Sequence, residues 1–272
     1  MTDAFTIDEW VCALLARTIR DGEIVFHGFG SPCATIAMHV ARKTHASSMV
    51  LVEGATYAIN PSPSFVPRTS NDWALMRDSS SVLRFEQLFD LAARGQLDRM
   101  FLSGGQIDQH GNTNVTLIGS PQAIKVKLGG GGGGCNLSAT VRALTVWTTH
   151  HRGGRTLVEQ CDFVTDLGYG ECVIDGRVFE RTGGGPELLV TELAVFDFDG
   201  GRARLCSVFP DVSIDDVRES TGFEFEVATE LKPLEPPEPE TVKLIRSLDP
   251  LGVRRSEFAD AELAREFLWA NL

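Results

Sequence analysis

Ile24-Val25-Phe26-His27-Gly28-Phe29-Gly30-Ser31-Pro32 reads as a short buried strand, a glycine turn and the first turn of a helix. Ser31 is placed to act as N-cap and Pro32 to occupy the first helical position, where a missing N–H costs nothing. Ile36, Met38 and Val40 carry the helix onward, and Met49-Val50-Leu51-Val52 returns as a second strand that ends at Glu53. Strand, turn, helix and strand make the start of a βαβ unit. The expected class is therefore α/β, with an open, mostly parallel sheet and helices covering both faces.

The pattern continues on either side. Upstream, Thr6 with Glu9 forms a capping box, and Ile7, Trp10, Val11, Leu14 and Leu15 recur at helical spacing. Downstream, a long loop runs to about residue 80. It is followed by an amphipathic helix around Phe85, Leu88, Phe89 and Leu91, and by an apolar strand Met100-Phe101-Leu102. Beyond residue 112 the sequence is richer in β-strand. Ala143–Trp147, Thr156–Val158, Leu188–Phe198 and Ala203–Phe209 are strand-like, and Asp199-Gly200-Gly201 is a hairpin turn. Ser213 with Asp216 opens a short helix, Pro233–Pro239 is a stiff connector, and helices are expected over Val242–Leu248 and Asp260–Trp269. We read residues 1–250 as one domain and 251–272 as a helical tail. No fixed-period repeat is visible.

Composition narrows the function. The chain has 272 residues, 43% of them hydrophobic, which is enough for a full core. A net charge of −12 without any dense Lys/Arg cluster argues against nucleic acid as a partner. Apolar runs fall short of the roughly 20 residues of a membrane span, and Met1-Thr2-Asp3 lacks a basic leader, so the expectation is a soluble, cytoplasmic protein with no membrane partner. Six cysteines without a C-x-x-C pair and six histidines without a metal-binding spacing suggest neither a disulfide framework nor a metal site.

The residues that invite chemistry cluster at strand ends. Glu53 is a carboxylate delivered by a strand tip into a loop, flanked in sequence by the turn Gly28–Gly30 and by six consecutive glycines, Gly129 to Gly134. Glycine-rich turns let backbone N–H groups approach a ligand. Position 33 is Cys33 rather than the third glycine of G-x-G-x-x-G, and no P-loop is present, so a nucleotide fingerprint is not met. Oriented N–H donors beside a carboxylate suit acyl chemistry, in which an oxyanion develops. Gly105, Gln106, Asp108, Asn112 and Asn114 either line a site or satisfy turn backbone groups. Arg68 either meets an acid substrate or lies on the surface. His27 ends its strand as a packed or solvated histidine, and Cys135 has no histidine partner in sequence.

Taken in order, several segments resemble a known family. They are Gly28-Phe29-Gly30-Ser31-Pro32, Val52-Glu53-Gly54, Val66-Pro67-Arg68, Gly104-Gly105-Gln106-Ile107-Asp108 with Gly111-Asn112 and Asn114, and the glycine run before Cys135-Asn136. Cys161–Thr165, Val195–Phe198 and Asp216-Val217 with Thr221-Gly222-Phe223 extend the match, which covers about residues 7 to 250. The chain resembles the B (β) subunit of family I CoA-transferases, of the glutaconate CoA-transferase type. The resemblance implies a NagB/RpiA-like α/β fold, a homologous A (α) subunit as partner in an α2β2 assembly, and acyl-CoA and a carboxylic acid as substrates. It also implies that no metal or redox cofactor takes part.

By the same resemblance Glu53 is the nucleophile that becomes a glutamyl-CoA thioester. Gly28, Gly30, Gly131, Gly132, Gly133 and Gly134 would bind the acyl-CoA oxyanion, and Gly105, Gln106, Asn112 and Arg68 are further substrate-binding candidates. The family commonly has Glu-Ser-Gly or Glu-Asn-Gly where this chain has Glu53-Gly54-Ala55, so an orienting side chain is expected to be missing. Relatives that lost the glutamate hydrolyse a carbon–carbon bond in steroid-ring CoA thioesters or decarboxylate a glutaconyl-type CoA ester. The alternatives to CoA transfer are thus a CoA-thioester hydrolase or lyase, with Glu53 as general base, and a non-catalytic partner subunit.

Overall fold

The computed structural model describes residues 5–258 apart from residues 170, 171 and 175. The helix expected over Asp260–Trp269 lies outside them. The helices described are α1 Ile7–Arg17, α2 Pro32–Lys43, α3 Phe85–Ala93, α4 Gly134–Thr140, α5 Ile214–Ser220 and α6 Pro239–Leu248. The strands of the first hundred residues are β1 Ile24–His27, β2 Val50–Val52, β3 Ala58–Ile59, β4 Ser81–Val82 and β5 Arg99–Leu102. Short hairpins follow, β6 Gln106–Ile107 with β7 Thr113–Asn114 and β8 Leu117–Ser120 with β9 Ala123–Lys127. The remaining strands are β10 Ala143–Trp147, β11 Cys172–Ile174, β12 Arg177–Phe179, β13 Pro186–Val190, β14 Ala194–Asp199, β15 Arg202–Val208 and β16 Glu226–Val227. The α/β class and the β-rich second half are as expected.

The chain divides into two compact units. One comprises residues 1–90, 97–99 and 235–272, and the other residues 91–96 and 100–234. In the first, β1 and β2 are parallel, with Ile24 opposite Val50, Val25 opposite Leu51 and Phe26 opposite Val52. The crossover between them is α2, which buries Ile36, Met38 and Val40, while α1 buries Val11, Leu14 and Leu15. β3 and β4 add antiparallel strands at one side, inside what the sequence presents as a long loop. The expected capping of α1 is present in that Glu9 accepts the Thr6 N–H at 3.1 Å.

Ser31, by contrast, makes no side-chain cap on α2. The Cys33 N–H is taken instead by the carboxylate of Glu257, 224 residues along the chain, at 2.7 Å. That acid comes from a 3₁₀ turn, Val253–Glu257. The same turn carries Arg254, which is buried and ion-paired to Asp8 at 2.6 Å and Asp249 at 2.8 Å. Arg99 is likewise buried and grips Glu23 with two bonds of 2.9 and 3.0 Å.

In the second unit the strand order is β5-β10-β13-β14-β15-β16. β10 with β13 and β15 with β16 are parallel, while β13, β14 and β15 are antiparallel neighbours. Gly200 and Gly201, both at positive φ (58° and 78°), make the predicted two-residue turn between β14 and β15. Two expectations need correction. The run Leu188–Phe198 is two strands folded back at Thr191, whose hydroxyl accepts the N–H groups of Leu193 and Ala194 and starts the turn. Thr156–Val158 is not a strand; Leu157 forms a single bridge to Ile107, because its partner β6 is only two residues long. Trp147, Phe101, Phe196 and Leu205 fill the core of this unit.

Cutting a buried ion pair leaves its partners charged and desolvated. Arg254→Leu removes the shared guanidinium, leaving Asp8 with Arg255 at 3.6 Å and Asp249 with two backbone N–H groups, and is expected to lower the unfolding free energy by about 3 kcal/mol in a urea titration.

Candidate active site

The register of the first strand pair builds the site. With Phe26 opposite Val52, the next residues of the two parallel strands are His27 and Glu53, side by side at their carboxyl ends. That is where open α/β sheets present ligand-binding groups. Both side chains are fully buried, and His27 Nε2 stands 3.4 Å from Glu53 Oε1. His27 Nδ1 is 2.8 Å from the Gly28 carbonyl, and Nε2 accepts the Gly54 N–H at 3.1 Å.

The turn after Glu53 folds over the carboxylate. The Glu53 N–H donates to the Ala58 carbonyl and the Tyr57 N–H to the Glu53 carbonyl, closing residues 53–58. Within it, Glu53 Oε2 accepts from the Ala55 N–H at 2.9 Å, the Thr56 N–H at 2.8 Å and the Thr56 hydroxyl at 2.8 Å. Oε1 is buried facing the His27 ring, and among the described residues no geometrically formed hydrogen bond reaches it. Tyr57 adopts φ 55°, unusual for an aromatic residue, and its ring stacks on Phe26 at 6.5 Å. Burial pushes the Glu53 carboxyl up, but the His27 imidazole and the Thr56 amide and hydroxyl outweigh it and hold it at about 2. The nearby Glu53 charge adds to burial in raising the Tyr57 phenol. The site therefore holds an ionised carboxylate with one oxygen saturated by donors and the other facing the His27 ring.

Gly54 explains the departure at this position. A Cβ there would stand 2.5 Å from the His27 carbonyl oxygen and 2.8 Å from that of Gly28, so this backbone has no room for the expected orienting side chain. The turn supplies the orientation through its own N–H groups and Thr56.

The other predicted residues divide between the units. Gly28, Gly30 and Arg68 lie in the first with Glu53. The Gly30 N–H donates to Ser70 Oγ at 3.3 Å, and Arg68 is exposed. In the second unit, the Gly105 N–H donates to the Asn114 carbonyl, and Gln106 Oε1 accepts from Asn114 and from the Asp162 N–H. Asn112 donates to Asp108 and accepts the Gly168 N–H, so its amide is spent on holding the loop.

Of the glycine run, the Gly130 N–H is used on the Val115 carbonyl and the Gly134 N–H on the Gly131 carbonyl, while Gly131, Gly132 and Gly133 lead into α4. A Cβ on Gly134 would come within 2.6 Å of Asp166 Oδ1. Asp166 is buried, and among the described residues its side-chain donor is the Thr113 hydroxyl, at 2.6 Å. Burial raises its carboxyl to about 6 against that bond. Sequence reading passes over Thr56 and Asp166 and takes His27 as packed or solvated. The equal placement of His27 and Glu53 at strand ends is the available signal for one of these; Asp166 offers none.

A βαβ unit that presents a buried, ionised acid at the end of its second strand places this chain among α/β proteins with a carboxylate at the carboxyl edge of the sheet. The chain belongs to the coenzyme A transferase family: residues 11–220 match that family's sequence profile, described as Coenzyme A transferase. It is 31% identical over 260 residues to the B subunit of glutaconate CoA-transferase from Acidaminococcus fermentans, covering 90% of this chain and 93% of that one. It is 27% identical over 250 residues to the B subunit of 3-oxoadipate CoA-transferase from Pseudomonas knackmussii, covering 90% and 94%. Among solved structures, the decarboxylase AibA/AibB superposes with a TM-score of 0.82 at 30% identity, over 94% of this chain and 99% of that one.

The depressed carboxyl carries a pH consequence. Because the folded pKa of Glu53 lies below that of the unfolded chain, its stabilisation is present above pH ~4.5 and is lost as pH falls toward 2. Glu53→Gln is expected to flatten this acid limb, measured as unfolding free energy at pH 6 and pH 3. Gly54→Ala is expected to destabilise by about 1–3 kcal/mol through overpacking, read by urea titration at neutral pH.

Proposed function

We propose that this chain is the B subunit of a two-subunit CoA-transferase, which moves CoA between an acyl-CoA thioester and a carboxylic acid through a glutamyl-CoA thioester on Glu53. The observation that carries the reading is the state of Glu53: a buried carboxylate kept ionised, with Oε2 held by three donors and Oε1 facing His27 Nε2 at 3.4 Å. A carboxylate is a weak nucleophile in water, and removing its hydration raises its reactivity. Binding energy from the remote CoA moiety is available to drive the intermediate. Glu53 has no exposure in this chain, so acyl-CoA reaches it only after the surrounding groups shift.

The likeness to B subunits supports an A-type partner chain, and we extend this to an α2β2 assembly in the cytoplasm, where CoA thioesters are handled. The reaction as written balances without a metal or redox cofactor. Gly28, Gly30 and the run Gly131–Gly134 remain our candidates for acyl-CoA contacts, with Gly105, Gln106, Asn112 and Arg68 for substrate.

A second reading, a CoA-thioester hydrolase or lyase, is favoured by the likeness to a decarboxylase. Trapping separates the two. The complex of this chain with its A-type partner, incubated with acyl-CoA and treated with borohydride, is expected to carry Glu53 reduced to the alcohol, with CoA released as thiol, the mark of a CoA adduct that Glu53→Ala does not form. Glu53→Gln should lower kcat/KM by at least about 10⁴-fold. Product formation with no adduct would move the protein to the hydrolase or lyase reading.

A further inference from the structure

His27 ends β1 beside Glu53, and the partner of each ring nitrogen fixes where its proton sits. Nδ1 is 2.8 Å from the Gly28 carbonyl, which only accepts, so Nδ1 carries a hydrogen. Nε2 receives the Gly54 N–H at 3.1 Å, so it presents a lone pair. The Thr35 hydroxyl, 3.3 Å from the same nitrogen, gives its proton to the Ser31 carbonyl at 3.0 Å. The neutral Nδ1–H form of the ring is the one that meets both conditions. The ring is also packed onto the turn: a Cβ on Gly54 would come within 2.8 Å of His27 Cε1.

Glu53 Oε1 lies 3.4 Å from that same Nε2, and both side chains are fully buried. A neutral ring has no hydrogen to offer it. A second proton on Nε2 would bond Oε1 and repel the Gly54 N–H, so the two contacts exclude each other. Burial raises the Glu53 carboxyl, and the imidazolium, by bond and by charge, comes first among the groups that lower it. The Gly54 N–H requires the neutral ring instead. Among the described residues, the other titratable groups acting on this corner are His39 of α2 and Tyr57 of the turn. Burial and then His27 hold the His39 ring at about 3, with Lys43 and Arg42 of the same helix lowering it further, and burial and then Glu53 raise the Tyr57 phenol. Both are neutral near pH ~7, so the proton that changes the site is the one on His27 Nε2.

We propose that His27 is a positioning residue for Glu53 and a proton-operated latch on its turn. In the neutral form the ring holds the Gly54 N–H, and with it the turn that aims the Ala55 and Thr56 donors at Oε2. Protonated at Nε2, the ring releases Gly54 and pairs with Oε1, so the turn loosens and the carboxylate is held by a counter-charge. The latch rests on the reading of Glu53 as the group that reacts with acyl-CoA. The active form is the deprotonated ring, so activity is present at higher pH and is lost as pH falls through the titration of His27, while Glu53, held at about 2, is still ionised.

The first test needs no activity. In the full chain labelled with ¹⁵N-histidine, the His27 ring signals are identified by their loss in His27→Gln. At neutral pH one protonated and one lone-pair nitrogen are expected, with the hydrogen on Nδ1. A ring protonated at both nitrogens, or at Nε2 alone, would overturn the assignment whatever reaction the protein catalyses.

The second test follows CoA transfer against pH in the complex with the A-type partner. His27→Leu, which offers Gly54 no acceptor, is expected to lower kcat by about 10²-fold with little change in KM. His27→Gln offers Gly54 a carbonyl oxygen and has nothing to titrate, so it is expected to keep most of the wild-type kcat at neutral pH and to hold it into the acid range where the wild type falls. An acid limb unchanged in His27→Gln would sink the latch, and a wild-type kcat in His27→Leu would sink the positioning role. Wild-type activity in Glu53→Ala would instead remove the reading on which the latch rests, and the ring spectrum would still decide the form of His27.

Discussion

The carbonyl oxygens of His27 and Gly28 lie so close over residue 54 that no side chain fits there, and the site depends on that contact. It ties the exit of β1 to the exit of β2 one residue past their last paired position. With Gly54 pressed against this backbone, its N–H reaches the His27 ring, and the next two N–H groups turn onto Glu53. Tyr57 is then forced to positive φ and returns the chain to β3. A departure from the family's usual residue is thus a matter of space. The backbone and Thr56 do the orienting that a side chain at 54 would otherwise do.

The buried Glu53 and Asp166 and the half-buried Glu257 show desolvation and hydrogen-bond donors acting on charge in opposite directions. Glu53, with three donors on one oxygen and an imidazole nearby, stays ionised. Asp166, with one threonine hydroxyl, is raised to about 6 by burial, and Glu257 is raised by burial to about 8 against its bonds with Cys33. Burial acts the same way on all three. Only at Glu53 do the donors and the neighbouring imidazole outweigh burial. Two of the three touch glycine turns: Asp166 lies against the polyglycine run, and Glu257 caps the helix that follows Gly28–Gly30.

Local patterns were legible in the sequence because their causes are local. The stripe of α1, the strand–turn–helix of β1 and α2, the Ser213–Asp216 capping box and the Gly200-Gly201 turn all rest on residues within a few positions of one another. Glu53 was legible as a strand tip, but its pairing with His27 needed the register of two strands, which no single segment carries. The errors came from distant partners. Ser31 looked like a cap, but Glu257 fills that role; Thr156–Val158 looked like a strand, but only one residue found a bridge. Thr191 was the missed local signal, a hydroxyl that breaks an otherwise continuous apolar run.

The capping of α2 by Glu257 also sets a timetable for synthesis. The first unit is assembled from the two ends of the chain, since α1 and α2 depend on Arg254 and Glu257 for their buried charges and first-turn N–H. A ribosome delivers those residues only after the whole intervening second unit, which carries its own sheet from β5 to β16. The middle of the polypeptide is therefore made before the groups that close its beginning, and until then α1 and α2 have each other but lack Arg254 and Glu257. Such long-range closure is slow and exposes the chain to association in the interval.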